Sequence, residues 1–494
     1  MPTDSAPLRV QLQTLGCRLN EAELEGWARQ FRHRGCHIAG ADEPADLLVV
    51  NTCAVTAEAV RKSRKLLRRL KREHPGARLV VSGCAASLDG GGLDAGALGD
   101  AGVDLVVDNA DKDRLVEIAA LSLALPEPNA RDADADAAEA LFARGRQRAF
   151  IKVQDGCRYQ CSFCVTTIAR GAERSRPLGD ILAEINALTA PADGSLGVRE
   201  IVLSGVQLGG YGRDLPAAQA PDLASLIQAV LRETDAARIR LGSVEPWDLP
   251  EAFWRLFDDP RLMPHLHLPL QSGADTVLKR MARRCRTAEL CGLVDAARAA
   301  IPDFNVTTDI IAGFPGETDD EWRQTMDFVA AVGFGQLHVF PYSPRAGTRA
   351  ADMSGQVPEQ VKRARARQLH ELGAVLRAEY LGAHVGRSLA VLIEGENRDE
   401  GGPFGAGFTP NYLPVRLRDA PADGVGQIVQ TRLLGLSRDG AALEGRLAPV
   451  SATATDAVTT PASPGAAARH GAGAQGRAAS GYGGRSGDGV TSPQ

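Results

Sequence analysis

Long apolar runs are missing from this sequence. No uninterrupted stretch approaches the ~18 residues that a membrane span needs. The opening MPTDSAPLRVQ has no apolar segment behind a basic start, so no signal peptide is expected. The expected compartment is the cytoplasm, where thiols stay reduced. Cysteine is scarce, nine in 494 residues, so a disulfide framework is not expected and clustered thiols point to metal or catalysis. Internal repeats are absent as well. The length allows roughly three domains, which have to be told apart by pattern and composition.

The most informative absence is a fourth cysteine beside the stretch DGCRYQCSFCVTTIARG, where Cys157, Cys161 and Cys164 are spaced C-x3-C-x2-C. A zinc site normally takes four ligands in paired halves, and here there is one C-x2-C half with no histidine close by. An electron-transfer cluster would take four thiolates. Three thiolates on a [4Fe–4S] cluster leave one iron without a protein ligand. S-adenosylmethionine can chelate that iron through its amino and carboxylate groups and be cleaved there to a 5′-deoxyadenosyl radical. The missing ligand is then the functional feature.

A second trio is dispersed: Cys17 in TLGC, Cys53 in NTC and Cys84 in SGC. Each follows a β-rich run (9–15, 46–52, 78–83), with a fourth run at 104–109 and helices near 20–34 and 55–73. Such alternation predicts a parallel sheet with crossover helices. In such a sheet the C-terminal strand ends share one edge, where ligands bind. The pattern thus gathers three thiols at one place, again three and not four, which fits a second cluster with an open iron. Cys36, Cys285 and Cys291 occupy ordinary helix and turn positions and read as structural.

Further along, QRAFIKVQ, EIVLSGV, RIRLGSV, HLHLPL, NVTTDIIAGFPG and QLHVFPYS each precede a polar or Gly-rich turn. Six βα units over ~147–355 fit a barrel or partial barrel, with chemistry at the C-terminal strand ends. A basic helix at 358–381 leads into 383–447, where strand patterns broken by Gly turns read as a small β barrel. Residues ~124–142 are Ala/Asp-rich and read as a linker; the last ~46 are rich in Ala, Gly and Ser and are expected to be disordered. The net charge of −5 hides one strongly basic segment, RKSRKLLRRLKRE (61–73), with eight basic residues and one acid. Val60, Ser63, Leu67 and Leu70 form its apolar seam, leaving Arg61, Lys65, Arg68 and Arg72 outside. That face is either a solvated helix surface or a phosphate-contacting patch.

With C-x3-C-x2-C behind a strand, the 147–355 region resembles the radical S-adenosylmethionine superfamily. By that resemblance Gly205 and Gln207 in SGVQLGG, Ser243 and Glu245 in LGSVEP, Gln271 in LPLQSG, and Gly313, Gly316 and Glu317 in IAGFPGE lie around the cofactor. GFPGE read alone is equally a tight turn. Two open-iron trios plus CVTTIARGAERSRP, HLPLQSGADTVLKRMARR and TDIIAGFPGETDDEW extend the resemblance to the methylthiotransferase family over residues 8–447. It implies an α/β multidomain chain: a Rossmann-like parallel α/β cluster domain (8–115), a linker (116–146), and a radical-SAM partial (β/α) barrel with trailing helix (147–382). An OB-like TRAM barrel (383–447) and a disordered tail (448–494) follow.

The resemblance further implies two [4Fe–4S] clusters, S-adenosylmethionine, a flavodoxin- or ferredoxin-like electron donor and no catalytic residues beyond the six cluster cysteines. TLGCRLNEAELE and SGVQLGGYGRD look most like the branch that methylthiolates threonylcarbamoyladenosine at position 37 of tRNA. The other branches act on isopentenyladenosine or on a ribosomal-protein aspartate; a non-catalytic zinc-containing RNA-binding protein is the reading from another class. Contact with the anticodon loop would fall to Arg170, Arg174 and Arg176, to the 61–72 helix and to the terminal barrel. Structural salt bridges are the competing role for those three arginines. Thr167 stands where the family usually has proline, Gln207 where asparagine is common, and Cys285 where an aromatic is frequent.

Overall fold

The computed structural model describes residues 7–88, 92–125, 147–189, 197–216 and 221–449. Most of the expected linker and all of the expected tail beyond residue 449 lie outside the described residues.

The first unit runs β1 (Arg9–Thr14), α1 (Arg18–His33), β2 (His37–Ile38), β3 (Leu47–Thr52), α2 (Ala57–Glu73), β4 (Arg78–Gly83), α3 (Ala95–Asp100), β5 (Leu105–Val107) and α4 (Leu115–Ser122). Its sheet is wholly parallel, in the order β2-β1-β3-β4-β5. LLVVNT of β3 is buried throughout, as a strand covered on both faces must be. Leu47 and Val49 meet Leu24, Trp27 and Phe31 of α1, while Leu48 and Val50 meet Val60, Leu67 and Leu70 of α2. The seam expected on the basic helix is therefore the face that packs, and Thr56 caps it by accepting the Ala59 N–H at 3.1 Å. One boundary moves. Helix α4 lies inside the span expected to be linker, because Leu115, Val116 and Ala119 complete the core under α1.

The second unit comprises β6 (Arg148–Lys152), β7 (Gln154–Asp155), α5 (Thr166–Arg170), β8 (Arg174–Ser175), α6 (Leu178–Thr189), β9 (Glu200–Ser204), α7 (Leu223–Glu233) and β10 (Arg238–Leu241). It continues with β11 (His265–His267), α8 (Asp275–Arg280), α9 (Thr287–Ala300), β12 (Asn305–Ala312), α10 (Asp319–Val332), β13 (Gln336–Pro341) and α11 (Glu359–Gly382). Parallel pairing runs β6-β9-β10 and β11-β12-β13, and bridges Ile239–Leu262 and Ser243–His267 join the two sets. All six strands predicted from sequence are present, in chain order, as an open barrel. Its first edge is covered: α1 lies along β6, and the Glu25 carboxylate accepts the Phe150 N–H at 2.9 Å.

A closed five-stranded barrel follows, β14 (Ser388–Asp399), β15 (Gly402–Phe408), β16 (Pro414–Leu417), β17 (Ile428–Leu436) and β18 (Leu443–Leu447), ordered β14-β15-β16-β18-β17. Its loop at 409–413 plugs the N-terminal end of the open barrel. The Tyr412 ring sits under the guanidinium groups of Arg18, Arg148 and Arg240, at 5.3, 5.4 and 4.6 Å from its centroid. Arg240 also holds Glu200 at 2.7 Å and the Pro410 carbonyl at 3.0 Å. With that end closed, the open-barrel lumen is reached from the C-terminal strand ends.

Candidate active site

β1, β3 and β4 are neighbours, and their in-register ends carry Cys17, Cys53 and Cys84 on one edge. Leu15 N–H to Asn51 O and Cys84 N–H to Thr52 O, both 3.0 Å, continue the ladder into the cysteine loops. Gly16 has φ +117°, and a Cβ there would stand 2.9 Å from Cys53 Sγ, so the turn before Cys17 admits no side chain. Asn20 ties the edge together. Its amide donates to Leu15 O (2.8 Å) and Thr52 O (3.2 Å), while its Oδ1 accepts the Cys17 thiol at 3.6 Å. Burial pushes the Cys53 thiol up to about 11.

The second trio occupies the loop between β7 and α5. Ser162 N–H reaches Met281 O at 2.9 Å, its hydroxyl reaches Arg280 O at 2.9 Å, and its carbonyl accepts the Ala350 N–H at 2.8 Å. Donors face each sulfur: Tyr159 N–H at Cys157 (3.4 Å), Arg283 Nη1 at Cys161 (3.7 Å) and, at Cys164 (3.6 Å), the Thr167 hydroxyl, whose single proton is shared with the Tyr159 carbonyl at 3.2 Å. Thr167, in the family's proline position, thereby gains a ligand-facing hydrogen bond. Burial pushes Cys157 up to about 12 and raises Cys161, so as free thiols these two stay protonated; coordination must release their protons. Soft donors in threes, with N–H and guanidinium groups aimed at sulfur, fit iron–sulfur clusters that keep one iron open, at both places.

Three of the expected cofactor residues converge on this rim. Glu245 grips Arg283 at 2.6 Å and so orients the guanidinium that faces Cys161. Ser243 pairs with His267 across the strands, and Gln271, at φ +84°, donates its N–H to Asp309 O at 2.8 Å. Gln207 is buried, its amide on Asp248 and its N–H on Gln154 Oε1 at 2.9 Å; Gly205 packs against that same Gln154. The GFPGE residues also bind the trailing helix. Glu317 accepts the Gly313 N–H at 2.7 Å and Arg365 Nη1 of α11 at 2.8 Å, and burial raises its carboxyl to about 7. Gly313 lies against Lys362, and exposed Gly316 neighbours Gly355 and Arg280. This loop ties the trailing helix to the barrel.

The three arginines differ from one another, and only the buried one contradicts its RNA-contact reading. Arg170 is 3% exposed and holds Asn20 (2.7 Å), Glu23 (2.8 Å) and Asp155 (2.8 Å), bridging the two cysteine-bearing units. Buried there, it cannot touch RNA. Arg176 is committed to Lys152 O at 2.7 Å and Glu184 at 2.6 Å. Arg174 is exposed, 3.6 Å from Asp155. On α2, Arg61, Lys65, Arg68 and Arg72 are all exposed and line one open groove of ≈ 840 Å³ against Gly99–Gly102. Arg61 and Arg68 have surface partners in Glu58 and Asp100.

Cys285 is buried in the barrel core, and Cys291 and Cys36 pack beside apolar cores. Sequence reasoning missed Arg283 and the loop after β13, whose Ser343 hydroxyl accepts the Ala57 N–H at 3.1 Å and whose buried Arg345 lies in electrostatic reach of Cys53. It also missed His267, Asp309 and His338, which meet in the lumen. The strand-end rule that located the cysteines would have located the loop after β13, but not Arg283, which follows helix α8.

Comparison with known proteins agrees with this layout. The family described as "Uncharacterized protein family UPF0004" matches residues 9–107, and the radical SAM superfamily matches residues 151–329. The threonylcarbamoyladenosine tRNA methylthiotransferase MtaB of Bacillus subtilis (strain 168) is 33% identical over 439 residues, 86% of this chain and 93% of the relative. The tRNA-2-methylthio-N(6)-dimethylallyladenosine synthase of Anaeromyxobacter dehalogenans (strain 2CP-C) is 36% identical over 466 residues, 90% and 96% of the two chains. Among solved structures, a radical S-adenosylmethionine methyltransferase, TsrM from Kitasatospora setae, superposes with a TM-score of 0.47 at 15% identity, over 70% of this chain and 77% of that one.

Proposed function

The chain belongs to the methylthiotransferase family of radical S-adenosylmethionine enzymes, and from that premise we propose that it converts threonylcarbamoyladenosine at tRNA position 37, beside the anticodon, to its 2-methylthio derivative. The observation that carries this reading is the pair of three-thiol edges, one on each of two parallel sheets, joined through Arg170. Several relatives named for threonylcarbamoyladenosine match at 33–34% identity over most of the chain.

An aromatic C2–H bond has no useful acidity, so acid–base residues alone cannot replace its hydrogen by a methylthio group. When bound, S-adenosylmethionine and the iron–sulfur clusters supply the radical chemistry, the sulfur and the methyl group. Cys157, Cys161 and Cys164 would hold the cluster that binds S-adenosylmethionine, and Cys17, Cys53 and Cys84 the one that presents sulfur. Arg283, fixed by Glu245, puts positive charge against the first trio; Arg170 does the same beneath the second. Ser243 and Gln271 stand where the cofactor would meet the lumen, and Tyr412 packs against Arg240 at the opposite end. The enzyme would act in the cytoplasm with a flavodoxin- or ferredoxin-like donor, since clusters of this kind have low potentials. Among the described residues no helix is long and apolar enough to cross a membrane.

The test is mass spectrometry of tRNA nucleosides from cells lacking the protein. Selective loss of the methylthio-threonylcarbamoyl nucleoside is expected. Dimethylallyladenosine synthases at 34–36% identity favour a second reading, and loss of the methylthio-isopentenyl nucleoside instead would establish it. Unchanged tRNA would turn attention to the ribosomal-protein aspartate.

The α2 groove makes a separate prediction about tRNA binding. Each of Lys65, Arg68 and Arg72 that meets a phosphate contributes about one unit to the slope of log affinity against log salt. The triple alanine variant should weaken tRNA binding and flatten that slope by roughly two to three units, with 5′-deoxyadenosine formation unchanged. An unaltered slope would leave the groove as a solvated helix face.

A further inference from the structure

β11, β12 and β13 bring three polar side chains together in the lumen. The register sets His267 opposite Thr307 and Asp309 opposite His338. Asp309 Oδ1 is 3.2 Å from His267 Nε2 and 3.2 Å from His338 Nδ1, so one carboxylate oxygen accepts from both imidazoles. His267 Nδ1 meets the Thr307 hydroxyl at 3.0 Å, which His265 reaches from below at 3.2 Å. The two upper rings stack with centroids 5.2 Å apart. Side-chain exposure rises along the wall, 9% at His267, 22% at Asp309 and 42% at His338, so the chain of hydrogen bonds ends in open lumen. Gln336 and Phe340 share the His338 face of β13 and are also partly open.

This wall adjoins the expected cofactor position on two sides, since Ser243 pairs with His267 and Gln271 donates to the Asp309 carbonyl. The proposed reaction occurs at adenine C2. N6 lies at the other end of the same base edge, so a base presenting C2 to the cofactor carries its N6 substituent deeper along the lumen wall. We infer that His267, Asp309 and His338 form the seat of that substituent and select one that hydrogen-bonds over a hydrocarbon one. The inference rests on the tRNA-adenosine reading above and adds to it a determinant of substrate choice.

The physical argument is one of unpaired groups. A threonylcarbamoyl substituent brings a urea, a hydroxyl and a carboxylate, which can hydrogen-bond to His338 Nε2 and to Gln336, 3.4 Å from it. An isopentenyl group seated there would cover these polar groups and offer them no hydrogen bond in exchange, and a donor or acceptor buried without a partner is costly. Sites built to hydrogen-bond a substrate reject the apolar analogue far more strongly than apolar pockets reject polar ones. Asp309 stays ionised in this arrangement: burial opposes it, but the hydrogen bonds from His267 and His338 hold its carboxyl well below the usual range. The histidine N–H groups are thus fixed in direction before substrate arrives.

The experiment uses cluster-loaded enzyme and two anticodon stem-loops, one with threonylcarbamoyladenosine and one with isopentenyladenosine at position 37. Wild type should prefer the first. His338→Phe should lower kcat/KM on that RNA by roughly 10–100-fold and narrow the preference, while His338→Gln, which keeps a hydrogen-bonding tip, recovers most of it. Iron content and the thermal unfolding midpoint should match wild type in both variants, which shows that they are folded. A His338→Phe enzyme with unchanged kcat/KM ratio overturns the inference and leaves the function intact. Wild type that turns over only the isopentenyl RNA overturns the function and the inference with it. The same three ligand atoms could instead hold a divalent ion; a stoichiometric metal besides iron, lost in His338→Phe, also overturns it.

Discussion

Cys161→Ala will abolish 5′-deoxyadenosine formation and remove half of the iron. An anaerobic wild-type preparation should carry about eight irons per chain, four in each cluster, and the variant about four. No nearby thiol can substitute. Cys285 is buried in the apolar core with its Sγ turned to the Arg286 carbonyl at 3.3 Å, and Cys291 faces the helix layer outside the strands. Arg283 would lose its sulfur partner but keep Glu245, so the fold around the loop should survive. Cys53→Ala separates the two trios. It should also lose about four irons, yet still cleave S-adenosylmethionine and make no methylthiolated nucleoside. Product analysis by liquid chromatography distinguishes the two variants. Cleavage at the wild-type rate by Cys161→Ala would remove the barrel loop from the mechanism, and loss of cleavage in Cys53→Ala would show that the two sites do not work independently.

Much of this arrangement was readable because it depends on periodic features. Strand–helix alternation located both parallel sheets, and the strand-end rule then put Cys17, Cys53 and Cys84 on one edge without any local spacing to guide it. What stayed hidden depended on partners distant in sequence. Arg170 carries the same local context whether it faces RNA or a buried carboxylate, and only the fold brings Glu23 of α1 within 2.8 Å of it. Nor does the sequence around Glu317 announce Arg365, 48 residues on, as its counter-ion. The glycines of β15 have a role that composition alone does not show. A Cβ at Gly407 would stand 2.2 Å from Leu392 O, so its absence lets β14 and β15 pack in so small a barrel. The lumen trio escaped notice because His267, Asp309 and His338 come from three strands, and each taken alone is an ordinary strand residue.

Arg170→Met should destabilise the protein more than any other single charge removal at the junction of the cysteine-bearing units. The guanidinium is shared by Glu23 and Asp155, whose side chains are 2% exposed, with Lys112 on Glu23 at 2.7 Å and Lys152 on Asp155 at 3.0 Å. Burial works against both carboxylates. Arg170 is the largest opposing influence on each, holding Glu23 well below its usual range and Asp155 at about 2. Removing it takes the guanidinium fork from two buried carboxylates and leaves Glu23 with Lys112 and Asp155 with Lys152. Breaking a buried ion pair of this kind costs about 3–5 kcal/mol. Arg170→Lys keeps the charge but not the fork that spans Asn20, Glu23 and Asp155, and should fall between the two. Acid reveals the origin of the loss. Groups with depressed folded-state pKa values stabilise above their unfolded values, near 4, and cease to do so as pH falls toward 2. The gap between wild type and Arg170→Met should therefore be full at neutral pH and close between about pH 4 and 2. Urea unfolding of the cluster-free chain across that range measures it, since acid strips iron–sulfur clusters. A variant as stable as wild type that instead binds tRNA more weakly would return Arg170 to the RNA surface.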